Sequence, residues 1–188
     1  MLLFMDYLHF PLRSTFLALP LENEAKWQFQ ALLEELRPYQ ESLRFQNPQT
    51  PHLTLFFWPE VLELEYEVIV RQVKKIASVA QSFTLKVTQA STFANRGEDR
   101  TLFLDVAFSP ELAQIKKSCP WSEERPFQPH ITLARVRHPQ RFNTVKKNVM
   151  KALDAIAFDI PIDRLRLYAE VNGMKQTPLE DFCFGLNS

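Results

Sequence analysis

One pentapeptide occurs twice in this chain. Pro51-His52-Leu53-Thr54-Leu55 and Pro129-His130-Ile131-Thr132-Leu133 match at four of five positions and lie 78 residues apart. At average residue frequencies, with only four histidines in the chain, such a coincidence has a probability well below roughly one in a thousand. Each copy sits in a β-rich context between helical patterns, so the pair reads as an internal duplication whose surroundings have diverged. The fold must therefore supply two strands with equivalent environments.

Alternate side chains of a strand share a face. His52 and Thr54 point one way and Leu53 and Leu55 the other; His130 and Thr132 repeat the arrangement. If a pseudo-two-fold axis relates the halves, the two imidazole–hydroxyl pairs face each other across a cleft. A single His-x-Thr on a strand is ordinarily a half-buried hydrogen-bonded pair, but packing has no reason to demand it twice in one frame. A metal site is a second reading. Two histidines fall short of the three protein ligands of catalytic zinc, and neither H-E-x-x-H nor H-x-H occurs, so a remote carboxylate would have to complete it. Phosphoryl chemistry is the third. In-line displacement at phosphorus needs a base on one side and an acid on the other, and histidine serves as both near neutral pH. Threonine hydroxyls can donate to the non-bridging oxygens.

The remaining pattern predicts an α+β fold. Phe16–Leu19 is a buried strand. Asn23 to about Arg37 is a helix capped by Asn23 and stopped by Pro38, with Trp27, Ala31, Leu32 and Leu36 as its apolar stripe. His52–Trp58 is a strand between prolines, and Glu60–Gln81 a helix with Leu64, Val68, Val73 and Ile76 apolar. Phe83–Phe93 and Thr101–Phe108 form a hairpin around the turn-rich Asn95–Asp99. A short helix at Pro110–Ser118, a strand within Pro126–Val136, a helix at Phe142–Ala157 and two strands, Phe158–Val171 and Gln176–Phe184, complete the chain. Hairpins imply antiparallel pairing. The expected architecture is one bilobal domain over residues 1–188. In it, two pseudo-two-fold-related antiparallel sheets line a central cleft, with helices outside.

Composition excludes several functions. Lys+Arg and Asp+Glu are both 22, so any attraction for nucleic acid must be local. The three glycines permit neither G-x-G-x-x-G nor a Walker A loop. Cys119 and Cys183 form no C-x-x-C pair and read as two reduced, buried thiols. No run of about 18 apolar residues is present, so no membrane span is expected. The apolar start, Met1–Phe10, lacks a basic n-region and reads as no signal peptide. A cytoplasmic monomer without a cofactor is the expectation.

From Arg125 to Leu153 there is no acid, but there are Arg125, Arg135, Arg137, Arg141, Lys146, Lys147 and Lys151. The lysines read as a solvated helix face. Arg135 follows His130 by five residues, so in a regular strand it lies on the opposite face; a bulge or the strand end would bring it round to a phosphate. His9 and His138 carry no motif and read as surface or packing residues. Phe56, Trp58 and Trp121 could stack on a base, although core packing is the commoner role.

Paired H-x-T-x motifs are the hallmark of the two-histidine (2H) phosphoesterase superfamily, which this chain resembles. Pro51–Phe57 and Pro126–Arg135 look most like its 2′-5′ RNA ligase-like branch, the RNA 2′,3′-cyclic phosphodiesterases. Arg13–Leu19 resembles that branch's opening strand and Arg164-Leu165-Arg166-Leu167-Tyr168 its late strand. The resemblance implies metal-independent opening of a 2′,3′-cyclic phosphate, on an RNA end or a nucleotide, to a 2′-phosphate. His130 would accept a proton from water and His52 would donate one to the leaving 3′ oxygen. Thr54, Thr132 and Arg135 would hold the phosphate. The reverse 2′-5′ ligation is open to the same site. The alternative is a non-catalytic nucleotide- or RNA-binding module using the same cleft. The branch often continues its first motif with a basic residue and Leu-Gly; this chain has Phe56-Phe57-Trp58-Pro59.

Overall fold

A computed structural model describes residues 8–121, 126–154 and 156–185. Nine strands and four helices run in the order β1 (Leu12–Pro20), α1 (Asn23–Glu35), β2 (Leu43–Phe45), β3 (His52–Val61), α2 (Glu63–Val79), β4 (Phe83–Asn95), β5 (Glu98–Val106), α3 (Pro110–Ser118), β6 (His130–Val136), α4 (Pro139–Ala152), β7 (Phe158–Ile162), β8 (Arg164–Val171) and β9 (Met174–Cys183). A 3₁₀ turn, Arg37–Tyr39, follows α1 and contains Pro38.

All ladders are antiparallel, and the strands form one curled sheet of order β7-β4-β5-β6-β3-β1-β8-β9, with β2 added to β6. The two expected sheets are thus halves of one. They correspond strand for strand: β3-β1-β8-β9 on one side, β6-β5-β4-β7 on the other. They join at a single partner pair, Leu53 and Ile131. Helices cover the outer face, where alternation places Leu17, Leu19, Leu53, Leu55, Ile131, Leu133, Leu165 and Leu167 in the main core. Phe16, Ala18 and Tyr168 form a separate small cluster on the inner face.

Several sequence expectations shift. Helix α1 buries Ala25, Phe29 and Leu33, and Trp27 is 69% exposed, so the buried stripe is rotated from the one expected. Its cap is Glu22, not Asn23. Helix α2 starts at Glu63 because β3 continues through Pro59 to Val61. Among the described residues β3 has no ladder partner on its far edge beyond Leu53, and an edge strand is where a proline is tolerated. The Leu62 N–H instead meets the Glu65 carboxylate at 2.8 Å. Helix α2 buries Tyr66, Ile69, Val73, Ile76 and Ala77, leaving Leu64 and Val68 exposed. Helix α4 begins at Pro139, a residue suited to a first helical turn, and ends at Ala152. The expected strand 158–171 is two strands: β7 pairs with β4 and β8 with β1 and β9, so the chain crosses between half-sheets at Asp163. Cys119 is buried as expected, but Cys183 is exposed. No helix among the described residues is long and apolar enough to cross a membrane.

Candidate active site

Both motif strands carry a bulge, and it falls at the same place. Against β3, Leu17 pairs with Phe56 and Ala18 with Thr54, leaving Leu55 unopposed. Against β6, Leu102 pairs with Ala134 and Phe103 with Thr132, leaving Leu133 unopposed. Each extra residue is the fifth of the pentapeptide. A bulge shifts the alternation by one, so the residue five after each histidine returns to the histidine's face. In β6 that residue is Arg135, and in β3 it is Phe57.

His52, Thr54, Phe57, His130, Thr132 and Arg135 accordingly line one cleft of about 370 Å³, within the range of small-ligand sites. Ser14, Phe16, Gln46, Thr50, Pro51, Lys175 and Gln176 complete the lining, and among the described residues no carboxylate belongs to it. A larger recess near the start of α1, about 870 Å³, is lined by Glu22, Glu24, Asp159 and Asp163 with one cation, Arg164. That lining does not suit an anion.

The histidines are held alike. His52 Nδ1 lies 2.7 Å from the Thr50 carbonyl oxygen, and His130 Nδ1 lies 2.8 Å from that of Gln128. A carbonyl only accepts, so Nδ1 carries the proton in both rings, and Nε2 is left to accept or donate. Each ring also rests on a stacked aromatic pair from the next two strands. His52 packs on Phe16 and Tyr168, with centroids at 4.6 and 5.3 Å; these rings stack on each other at 4.8 Å. His130 meets Phe93 and Phe103 edge-on at 4.9 and 5.5 Å, and those two stack at 3.9 Å.

This apolar bedding sets the titration. Burial pushes His52 down to about 4, against the opposing pull of the Thr50 carbonyl, and charge on His130 lowers it further. Burial also lowers His130; the Gln128 carbonyl opposes, Arg135 adds to the drop, and Asp105, its ladder partner on β5, raises it. Both rings are therefore neutral in the empty cleft at neutral pH.

Arg135 is aimed by a residue the sequence did not single out. Its Nη1 donates to Thr101 Oγ1 at 2.6 Å, and Thr101 is its ladder partner on β5, buried at 3% exposure. Burial and the neighbouring Arg44 both lower the Arg135 pKa. The Thr54 and Thr132 side chains, half-buried on the cleft face, have free hydroxyls among the described residues. Of the remaining basic residues, Lys146 pairs with Asp99 at 2.8 Å. Arg137, Arg141, Lys147 and Lys151 are exposed, and Arg125 lies outside the described residues.

Comparison with known proteins fits this arrangement. Residues 23–173 match the family model described as the 2'-5' RNA ligase superfamily. The chain belongs to that superfamily. A curated relative from Thermotoga maritima, named RNA 2',3'-cyclic phosphodiesterase, is 24% identical over 163 residues, covering 82% of this chain and 85% of its own. Among solved structures, TT0787 of Thermus thermophilus superposes with a TM-score of 0.72 at 21% identity, covering 93% of this chain and all of its own. Escherichia coli LigT complexed with ATP gives 0.64 at 21% identity, covering 94% and 99%. The fold is that of these proteins, and the chain is an enzyme of the two-histidine phosphoesterase type.

In this member of the 2′-5′ RNA ligase superfamily the candidate base-stacking residue is not one of the three aromatics considered from sequence. Phe56, Trp58 and Trp121 pack against one another, at 4.7, 5.6 and 4.8 Å between centroids, on the face opposite the cleft. Phe57, 51% exposed, lines the cleft, as does Phe16, which is buried beneath His52 at 6% exposure. Extending the internal repeat by two residues, to set Phe57 against Arg135, is the signal that would have found it. His9 and His138 are exposed and do not line the cleft, so of the two roles read for them, surface or packing, they take the surface one.

Proposed function

We propose that this enzyme opens 2′,3′-cyclic phosphates, on RNA ends or nucleotides, to 2′-phosphates, with His52 and His130 as an acid–base pair. The observation that carries this is the pairing of two identically tethered imidazoles in a cleft that an arginine and two free hydroxyls line, with no carboxylate among the described residues of the lining. The name of the Thermotoga relative points to the same reaction.

In the reaction, neutral His130 Nε2 takes a proton from water as its oxygen attacks phosphorus. The P–O3′ bond breaks as protonated His52 Nε2 gives its proton to O3′. The pair ends with its protonation reversed and resets by exchange with solvent. Thr54, Thr132 and the Arg135 guanidinium donate to the non-bridging oxygens, where charge concentrates. With a 5′-hydroxyl in place of water as the nucleophile, the same bond to O3′ breaks and the same groups would support 2′-5′ ligation.

The antiparallel sense of β3 and β6 supports this division of roles. From the Leu53–Ile131 pair, β3 runs towards Phe57 and β6 runs the opposite way, towards Arg135. His52 lies on the Arg135 side of the pair and His130 on the Phe57 side. A base stacked on Phe57 orients the ribose with C2′ towards that end and C3′ towards the other. O3′ then faces His52, and water reaches phosphorus from the His130 side.

The test is incubation with adenosine 2′,3′-cyclic phosphate and with short cyclic-ended RNA in excess chelator, resolving 2′- from 3′-phosphate. Turnover to the 2′-phosphate supports the reading. Saturable binding without turnover would make the cleft that of a binding module.

A further inference from the structure

Arg44 lies directly opposite Arg135 across the β2–β6 ladder. Directly opposed residues project from the same face, and like charges placed so are destabilising. Arg44 is exposed and forms no ion pair among the described residues. Two residues on, by the same alternation, Gln46 lines the cleft and extends the ladder, its N–H meeting the Leu133 carbonyl at 2.9 Å. Gln46, Gln176 and Thr50 are linked by side-chain hydrogen bonds at 3.3 Å, so this end of the cleft is a connected polar wall. An arginine pair with no ion-pair partner among the described residues, at the rim of a cleft whose described lining holds no acid, is an arrangement that an anion would relieve.

The chemistry of a nucleotide says which anion. On ribose, C1′ and C4′ flank the 2′,3′ edge, so a base at the Phe57 end sends the 5′ substituent towards the other end. That end is the Arg135 end, and β2 stands there on the same side of β6 as β3, beyond His52. Arg135 is engaged with the scissile phosphate and with Thr101, which leaves Arg44 for a second phosphate.

We propose that Arg44 binds the phosphate on the 5′ side of the terminal nucleoside, which makes the preferred substrate an RNA end rather than a lone cyclic nucleoside phosphate. This rests on the cyclic phosphodiesterase reading above.

Three substrates test it: adenosine 2′,3′-cyclic phosphate with a free 5′-hydroxyl, the same compound carrying a 5′-phosphate, and a dinucleotide ending in a 2′,3′-cyclic phosphate. The wild-type enzyme should favour the latter two in KM by roughly tenfold, the equivalent of one charge-assisted phosphate contact. Arg44→Ala should collapse that preference, and Arg44→Lys should restore part of it; circular dichroism confirms that both fold. Turnover of none of the three by wild type would refute the parent reading, not this one alone. Wild-type turnover without a 5′-phosphate preference would overturn the Arg44 proposal. So would a preference that Arg44→Ala leaves intact, or one that Lys175→Ala removes in its place.

Discussion

Leu53 and Ile131 face each other as the partner pair at which β3 meets β6. Both are fully buried, and each stands between the histidine and threonine of its own motif. A single apolar contact on the outer face therefore fixes the spacing of four polar groups on the inner one. Shortening it disturbs the cleft without touching a cleft residue. Leu53→Ala should cost about 2–5 kcal/mol of stability and lower kcat at temperatures where the protein is still folded. Thermal denaturation and initial rates on one preparation check this.

Loss of either imidazole should cost about 10²–10⁴ in kcat. His52→Ala and His130→Ala combined should cost little more than either alone, because acid and base act as a unit. Multiplicative effects in the double variant would mean that the rings work independently.

Arg135 depends on Thr101 for its aim. Thr101→Val keeps the shape and removes the acceptor, so activity should fall about 2- to 13-fold, the equivalent of one ordinary hydrogen bond, with Arg135→Ala losing more. In Arg135→Ala, a further Thr101→Val should have little effect. Kinetics of the two single variants and the double variant decide it.

Phe57 and Phe56 should separate cleanly. Phe57→Ala should weaken substrate binding by about 1–3 kcal/mol, the worth of one base–aromatic stack, with Phe57→Trp retaining it. Phe56→Ala should leave KM nearly unchanged and lower the melting temperature, because its ring packs on Trp58 and Trp121.

The depressed histidines give two pH signatures. Each is neutral when folded where its unfolded form, near 6.5, is protonated, so the unfolded chain binds more protons below that value. Stability should be full above pH 6.5 and decline as pH falls towards about 4, the range over which His52 charges; His52→Ala should flatten that decline. Catalysis needs one ring charged and one neutral. In the free enzyme, where both pKa values are lowered, the kcat/KM bell should peak below pH 6.5 and report the coupled pair. A bound anionic phosphate raises both values, so the kcat optimum should be more alkaline. A kcat/KM optimum above pH 7 would contradict this assignment.

The sequence carried the chemistry further than the architecture. The placing of His52, His130, Thr54 and Thr132 on one cleft was legible because a repeat that matches at four of five positions is a non-local signal that survives divergence. Arg135 was legible only conditionally, since its face depended on a bulge, and Leu133 gives no sign of one by itself. Phe57 was hidden by the same bulge at Leu55, with Phe56 and Trp58 offering more conspicuous rings. Thr101 and Arg44 were invisible because ladder register joins them to Arg135, and register is not written locally. The burial stripes of α1 and α2 went astray where apolar residues ring much of the helix: Trp27, Leu64 and Val68 fit a periodicity but face solvent. Strand β2, three residues long, offers no period to read.

The most direct measurement of the central claim is the product formed from an RNA bearing a 2′,3′-cyclic phosphate, incubated with wild-type enzyme and excess chelator. The two-histidine account predicts undiminished turnover and a product that is wholly the 2′-phosphate, with both His52→Ala and His130→Ala nearly inert. A 3′-phosphate product would reverse the placement of O3′ beside His52. Activity lost to chelator and restored by zinc or manganese would make the histidines metal ligands and contradict the account at its root.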